Sequence, residues 1–225
     1  MSFFSQMDTY GDGYAGIGVW RAAFKPLVDR IADTDIRLQW FCCDRSTGVT
    51  DASGKRVTLI RDTKYPVSVE YQTVKFIGTG RDNIKAGVFS GWELGDYIYL
   101  RSEEAYMIKM EALAHKGSAD AITELNSFMK TRQPDYNYTF TNKADLIEEI
   151  IYQKRVEFWG EGLEYIDNRR LNIPVDRTDE TWGAENNNHF SAGKFRYNQE
   201  ERPFLYQLPL SEIENNSQLS PTDQN

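Results

Sequence analysis

The sequence predicts a mainly α-helical protein in which short β segments and long irregular stretches accompany a helical core. Three observations predict this class. Apolar residues recur at helical spacing between residues 98 and 172, glycine-rich and β-branched segments without that spacing fill residues 1–97, and polar, turn-prone residues dominate 173–225. The three predicted parts are therefore an irregular, short-strand segment, a helical core and a loop-rich C-terminal segment.

The first part carries loop and strand signals. Four glycines within Tyr10–Gly18 predict a flexible loop. They do not predict a dinucleotide-binding motif, because no strand precedes them and their spacing only approximates that motif. A short helix is expected over residues 24–31, with Pro26 near its start. The β-branched and alternating residues of 56–61 and 67–77 predict strands or extended segments.

The second part begins with a predicted helical hairpin. The first helix starts near residue 98, ends at Gly117 and has an apolar face formed by Leu100, Met107, Met110 and Ala114. Ser118 is expected to cap a second helix that runs to about Thr131. The connection is short, so the two helices are expected to be antiparallel.

A second pair of helices should follow. Asn142 is expected to cap a third helix, and Gly160 and Gly162 predict a bend before a fourth helix that ends near Arg170. Two helix pairs in tandem are typical of tetratricopeptide-type packing, although no repeat motif is evident.

Composition excludes several classes of function. The 225 residues carry a net charge of −8 with acidic residues spread along the chain, which argues against a nucleic-acid partner. Cys42 and Cys43 are adjacent, and His115 and His189 are far apart in sequence, so a disulfide framework, a metal site and a Ser-His-Asp triad are all poorly supplied. No cofactor is expected.

Membrane signals are also weak. The chain has no apolar run of about 18 residues, and its first residues show neither a signal peptide nor a lipid-accepting cysteine. As written, the chain is expected to be soluble.

Residues 153–172 form the most informative stretch, because aromatic residues, carboxylates and arginines surround two glycines there. Four further elements accompany it: an Asp-x-Arg at 35–37, a helix over 101–113, a Leu-Asn helix over 121–132 and a closing Leu-Pro-Leu-Ser-Glu-Ile at 208–213. In order and spacing, these elements resemble the SusD/RagB family of surface nutrient-binding lipoproteins from Bacteroidetes-type bacteria. The signature positions are Arg101, Glu104, Glu111, Arg155, Glu157, Glu161, Gly162, Asp167 and Arg170.

This resemblance implies a SusD-like fold and a non-catalytic function. Members of the family capture oligosaccharides, or in some cases peptides, at the cell outer membrane and deliver them to a TonB-dependent, SusC-like transporter during polysaccharide uptake. Membrane attachment would require a lipid anchor that this chain lacks. The match covers roughly residue 35 to the C-terminus, so the chain looks like the C-terminal part of such a protein.

Exposed aromatic rings with nearby amides are the expected ligand contacts, since a ring can stack on a sugar and an amide can bind its hydroxyls. The candidates are Trp182, Trp20, Trp92, Tyr14 and Asn187. Trp182 stands out because it lies in a polar loop with three consecutive asparagines nearby, at 186–188.

Two other functions stay open. The helix pairs alone would also suit a tetratricopeptide-like scaffold that grips a partner peptide in a groove. Glu157, Glu161 and Glu164 could mimic the carboxylate pair of a glycoside hydrolase. Structural ion pairing is the simpler interpretation of these carboxylates, and Glu104 and Glu111 are expected to bind Arg155 or Arg170.

Overall fold

The computed structural model describes residues 23–42, 49–50, 56–57, 71–73, 75, 99–201, 207–220 and 222. The chain divides into two compact units, Met1–Gly160 and Glu161–Asn225. The described residues form seven α-helices and six two-residue strands, which confirms the mainly α-helical class with short β segments. None of the helices in these ranges is long and apolar enough to cross a membrane.

The first unit opens with short elements. Helix α1 spans Lys25–Asp29 with a proline in its first turn, and a 3₁₀ helix spans Ile36–Trp40. Two antiparallel ladders follow, in which β1 (Phe41–Cys42) pairs with β4 (Gln72–Thr73) and β2 (Val49–Thr50) pairs with β3 (Arg56–Val57). The strands predicted within 56–61 and 67–77 therefore exist as two-residue ladders. Tyr71 and Lys75, in the second of those segments, are in turns, and the remaining residues, like the glycine loop at 10–18, lie outside the described residues.

Three longer helices follow in the first unit: α2 (Ser102–Lys116), α3 (Asp120–Met129) and α4 (Lys143–Glu157). Helix α2 packs against both α3 and α4. Lys109 pairs with Glu124 and Tyr106 meets Phe128, so residue numbers rise along α2 as they fall along α3. This order confirms the predicted antiparallel hairpin.

Helix α4 also runs antiparallel to α2. Lys143, at its start, donates to the carbonyl of His115 at 2.6 Å, while Lys154, near its end, pairs with Glu111 at 3.3 Å. The interior of the three helices is mainly apolar, with the Glu111–Lys154 pair also buried between α2 and α4. Its buried apolar residues are Met107, Met110, Ala114, Ala121, Leu125, Met129, Leu146 and Ile150.

The predicted helix ends are largely correct. Gly117 ends α2 with a left-handed φ of 71°, and Asn142 accepts the amide of Asp145 at 2.9 Å to start α4. The Ser118 hydroxyl accepts the amide of Asp120 at 3.2 Å. Leu100 was wrongly placed on the buried face: the extended backbone of Arg101 precedes the helix and leaves Leu100 70% exposed.

A second apolar core joins the N-terminal elements to the C-terminal half of α4. Its buried members are Ala23, Val28, Ile31, Leu38, Phe41, Tyr71, Tyr152 and Val156. Trp40 and Trp159 pack against it, and the Trp159 ring meets Phe41 edge-on at 5.7 Å. Residues more than 100 positions apart therefore share one core, which fixes α4 against the first 20 described residues.

The second unit is loop-rich. It contains α5 (Leu163–Arg170), α6 (Asp179–Trp182), a 3₁₀ turn (Ser191–Gly193), α7 (Leu210–Asn215) and one antiparallel ladder between β5 (Val175–Asp176) and β6 (Arg196–Tyr197). Gly160 and Gly162 have φ values of 78° and 86°, so helical geometry is interrupted between α4 and α5 as predicted. Arg170 ends α5, also as predicted.

Candidate ligand-binding site

Three arginines converge on Glu157, a signature position in the last turn of α4, and one of them, Arg101, is a signature position as well. The Glu157 side chain is 1% exposed and accepts contacts from three guanidinium groups. The shortest nitrogen–oxygen distances are 3.4 Å to Arg37, 3.1 Å to Arg101 and 3.0 Å to Arg132. One carboxylate therefore connects the N-terminal segment, the start of α2, the end of α3 and α4.

The arginines keep Glu157 charged. Burial disfavours the ionised carboxylate, but the hydrogen bonds and charges of the three arginines outweigh it and lower the pKa of Glu157. Burial also disfavours the charged form of Arg132, but the carboxylates of Glu157 and Glu103 outweigh that effect and raise the pKa of Arg132. Lys75 adds a further cation, donating to the carbonyls of Glu157 and Trp159 at 2.7 and 3.0 Å. The C-terminus of α4 is thus held by positive charge, which its dipole favours.

A second layer of polar groups supports Arg37. This arginine is 1% exposed, pairs with Asp35 at 2.7 Å and donates to the side-chain oxygen of Gln153 at 2.5 Å. Gln153 donates in turn to Glu149, which also binds Arg30 at 2.5 Å. Buried carboxylates that are each paired with cations and amides hold a fold in one arrangement, which is a structural role.

Glu111 has a buried partner that was not predicted. Its carboxylate pairs with buried Lys154 at 3.3 Å. Arg170 pairs with Asp167, three residues earlier in α5, at 2.6 Å. Lys154 faces α2 because α4 is antiparallel to it, and that register could not be read from spacing along the sequence.

The second unit contains the loop that carries Trp182. Asp176, at the end of β5, accepts from the hydroxyls of Thr178 and Thr181 at 2.7 Å each and pairs with Arg196 at 3.1 Å. The Trp182 indole N–H donates to the Asp176 carbonyl at 2.9 Å. The half-exposed Trp182 ring therefore has a fixed orientation, since its nitrogen is bound to the same residue that organises the turn.

Asn187 lies in the same loop, and its amide is engaged on both sides. Its nitrogen donates to the Arg177 carbonyl at 3.0 Å and to the Asp179 carboxylate at 2.8 Å, and its oxygen accepts the amide of His189. Lys194 also bonds Asp179, and this bond leads the interactions that lower the pKa of Asp179. Asn187 is buried, so its observed contacts shape the loop.

The pKa of His189 is lowered by its surroundings. Partial burial, followed by the positive charges of Arg177 and Lys194, lowers its pKa, so the neutral imidazole is favoured at neutral pH. No group of three or more His, Cys, Asp or Glu side chains arranged to hold a metal ion occurs in the described ranges.

Only two of the five predicted ligand contacts are among the described residues. Trp182 and Asn187 both attach to residues 176–179 of one loop, whereas Trp20, Trp92 and Tyr14 lie outside the described residues. The signature set divides between the units: Arg101, Glu104, Glu111, Arg155 and Glu157 lie in the first, and Glu161, Gly162, Asp167 and Arg170 in the second.

One aromatic feature was not predicted from the sequence. Tyr136, Tyr138 and Phe140, between α3 and α4, place their rings in one stack, with centroid separations of 5.9 and 4.4 Å. The signal was present in the sequence, because alternate aromatic residues share one side of an extended segment.

Comparison with known proteins identifies a family and a similar solved structure. A search of curated proteins returned no match. Among solved structures, a SusD-like carbohydrate binding protein from Bacteroides vulgatus is similar, with a TM-score of 0.64 at 23% sequence identity. The alignment covers 96% of this chain and 44% of that protein, so this chain spans less than half of its length. The model of the SusD family matches residues 29–225, and the chain therefore belongs to the SusD family.

Proposed function

We propose that this chain is part of a nutrient-binding protein that captures oligosaccharides without turning them over. The observation that carries the proposal is membership of the SusD family over residues 29–225. The similar solved structure is described as a carbohydrate binding protein, which supports a glycan as the ligand class. Delivery of the glycan to a TonB-dependent, SusC-like transporter at the outer-membrane surface is part of the same proposal.

The state of the carboxylates supports binding over hydrolysis. A glycoside hydrolase requires two carboxyl groups about 5–10 Å apart that face the substrate, one of them protonated to act as the acid. Glu157 is buried among arginines that lower its pKa, so it is suited neither to contact a sugar nor to donate a proton. Asp35 and Glu149 are buried and bound to arginines in the same way.

Trp182 is the proposed contact within the described loop. Its ring is half-exposed, and the hydrogen bond to Asp176 restricts its orientation, so little ordering entropy would be lost when a sugar stacks on it. Asn187 would act by holding the loop, because its amide is already bonded. Trp20, Trp92 and Tyr14 stay proposed contacts on their residue type alone.

The test is calorimetry or affinity gel electrophoresis of the chain against neutral oligosaccharides and peptides, with product analysis. We expect saturable glycan binding without product, and about tenfold weaker binding by Trp182→Ala because a stacking surface is lost. Phe190→Ala is the matched control, since Phe190 is an exposed aromatic residue (75%) in the same unit.

Three results would contradict parts of this proposal. Release of shorter sugars would show turnover and refute a purely binding role. Unchanged affinity of Trp182→Ala would remove Trp182 from the site while leaving glycan binding in place. Exclusive binding of peptides would refute a glycan ligand and leave peptide capture and a tetratricopeptide-like scaffold as the candidate functions.

A further inference from the structure

The connection between α3 and α4 has an unusual composition for this protein. Residues 136–142 read Tyr-Asn-Tyr-Thr-Phe-Thr-Asn, and none of them carries a charge although 27% of the chain is charged. Five of the seven are exposed, namely Asn137, Tyr138, Thr139, Thr141 and Asn142. An exposed segment built only from aromatic, amide and hydroxyl groups offers the chemistry that binds uncharged sugars.

The rings of this segment form an ordered stack. Tyr136 and Tyr138 are nearly parallel, with 20° between their planes and 5.9 Å between centroids, and the Phe140 ring lies 4.4 Å from Tyr138 with its plane tilted by 36°. Tyr136 is the buried end, where its hydroxyl donates to Glu149 at 2.9 Å. Phe140, at the other end, is half-buried, and the middle ring, Tyr138, is 43% exposed, so Tyr138 is the ring most open to solvent.

The backbone of the segment is fixed as well. The Asn126 side chain, on α3, accepts the amide of Tyr138 at 2.8 Å and donates to the carbonyl of the same residue at 3.0 Å. Asn142 closes the segment by capping α4. An exposed ring whose backbone and neighbours are all held loses little conformational freedom when a ligand stacks on it.

Free polar groups lie beside the rings. Within the described ranges the Tyr138 hydroxyl makes no hydrogen bond, and neither do the side chains of Asn137 and Thr139. Charged residues flank the segment, and each has a hydrogen-bond partner: Asp135 accepts from Thr34 at 2.7 Å, Lys143 donates to the His115 carbonyl at 2.6 Å, and Asp145 accepts from the Asn142 amide at 2.8 Å. The segment itself therefore offers hydroxyl and amide groups without a charge of its own.

We infer that residues 136–142 form a binding site for a neutral oligosaccharide, in which the solvent-exposed side of the Tyr138–Phe140 pair contacts the sugar and the Tyr138 hydroxyl is a hydrogen-bonding group. This site is separate from the Trp182 loop, and the inference rests on the proposed glycan-binding function.

The test is isothermal titration of the whole chain with maltohexaose, cellohexaose, xylohexaose and mannohexaose. Tyr138→Leu keeps an apolar side chain in the stack but removes the flat ring and the hydroxyl. We expect it to bind the preferred hexasaccharide about tenfold more weakly, and Phe140→Leu to be weakened in the same direction. Tyr106→Leu should bind as the unsubstituted chain does.

Tyr106 is a suitable control because it is also an exposed tyrosine (52%) paired with an aromatic ring. Its partner Phe128 is on α3, two residues from Asn126, which holds Tyr138. Positions two apart do not share a helix face, so the Tyr106 pair lies on a different face of α3 from the contact with Tyr138. Circular dichroism should show that all three variants are folded. Hydroxyl-radical footprinting of the unsubstituted chain gives an independent measurement, in which the hexasaccharide should protect Tyr138.

The outcomes separate this inference from the function on which it rests. Glycan binding that both Tyr138→Leu and Phe140→Leu retain within twofold, without protection of Tyr138, would overturn the site and leave the proposed function intact. Absence of binding to every hexasaccharide would overturn both for this chain. Protection of Tyr138 by a proline-rich peptide but by no sugar would overturn the assigned ligand class.

Discussion

At the scale of single residues, Glu157 connects parts of the first unit that are distant in sequence. Its carboxylate contacts arginines that are 120, 56 and 25 positions away in sequence. A side chain of this kind contributes little by its own burial, because removing a charge from water costs several kcal/mol. It stabilises the fold only because all three arginines are present, and each arginine depends on it in return.

Neutralising Glu157 should therefore be costly. Glu157→Gln keeps the shape of the side chain but leaves the buried Arg37 with less compensation, and we expect a loss of about 3–5 kcal/mol in the free energy of unfolding. Urea denaturation followed by circular dichroism measures this loss. Glu148→Gln is the matched control: Glu148 is on the same helix, is 77% exposed and lies 3.9 Å from Arg30, and its loss should stay within about 0.5 kcal/mol. Equal losses in the two variants would contradict a central role for Glu157.

The same residue predicts how stability depends on pH. The pKa of Glu157 is lower in the folded chain than its ordinary value of 4.5, so folding favours the ionised form. Its stabilising contribution is complete above pH 4.5 and is lost as the pH falls through the lower, folded pKa.

We accordingly expect the urea concentration at the unfolding midpoint to decrease as the pH is lowered below 4.5. The decrease should be less steep in Glu157→Gln, because that side chain has no proton to bind. Titrating both proteins between about pH 6 and pH 3 measures the difference in slope. Parallel slopes would indicate that other carboxylates dominate acid unfolding.

At the scale of elements, the helices are delimited by local backbone chemistry. Gly117 and Gly162 both have a left-handed φ, and at both positions an added Cβ would meet no heavy atom within 4 Å. A substitution at either site would therefore be strained by its backbone conformation and not by crowding. Gly162 precedes α5 directly, so its conformation sets where that helix begins.

Gly162→Ala should lower the free energy of unfolding by about 1–2 kcal/mol, which is the cost of a left-handed φ for an alanine. Gly162→Asn is the informative comparison, because asparagine tolerates this conformation better and should cost less. Thermal unfolding of the three proteins measures the order of stability. An alanine variant as stable as the glycine protein would show that the backbone can change φ at this position without cost.

At the scale of the whole molecule, the net charge of −8 limits the class of ligand. An acidic protein repels an anionic ligand over distances of about 10 Å in 0.1 M salt. A neutral oligosaccharide neither feels this repulsion nor releases counterions when it binds. The charge of the chain is thus compatible with the proposed ligand and does not select among neutral sugars.

Affinity for the preferred neutral hexasaccharide should consequently be almost independent of salt. Between about 0.05 M and about 0.5 M NaCl we expect a change of less than about twofold in Kd, because screening acts on charge pairs that this complex lacks. Isothermal titration at both concentrations gives the comparison, with the heat of dilution measured in each buffer as the control. A tenfold change would identify a charged ligand or a charged contact.

The chain itself determined the helices, most of their ends and the family. Asn142, Gly117 and the two glycines after α4 act through bonds to neighbours or through their own φ, so each leaves a signal within a few residues. The spaced signature of arginines and carboxylates identified the SusD family for the same reason, since it is a pattern along the sequence.

Only the tertiary structure decided which of these groups meet. Glu157 binds Arg37 and Arg132, Glu111 binds Lys154, and Tyr138 is held by Asn126, and each pairing depends on how separate elements pack together. Periodicity gives the buried face of one helix but not its register against another, because register is set by packing between residues distant in sequence. For the same reason, the stack at residues 136–140 could be recognised as ordered and exposed only once the helices that hold it were in place.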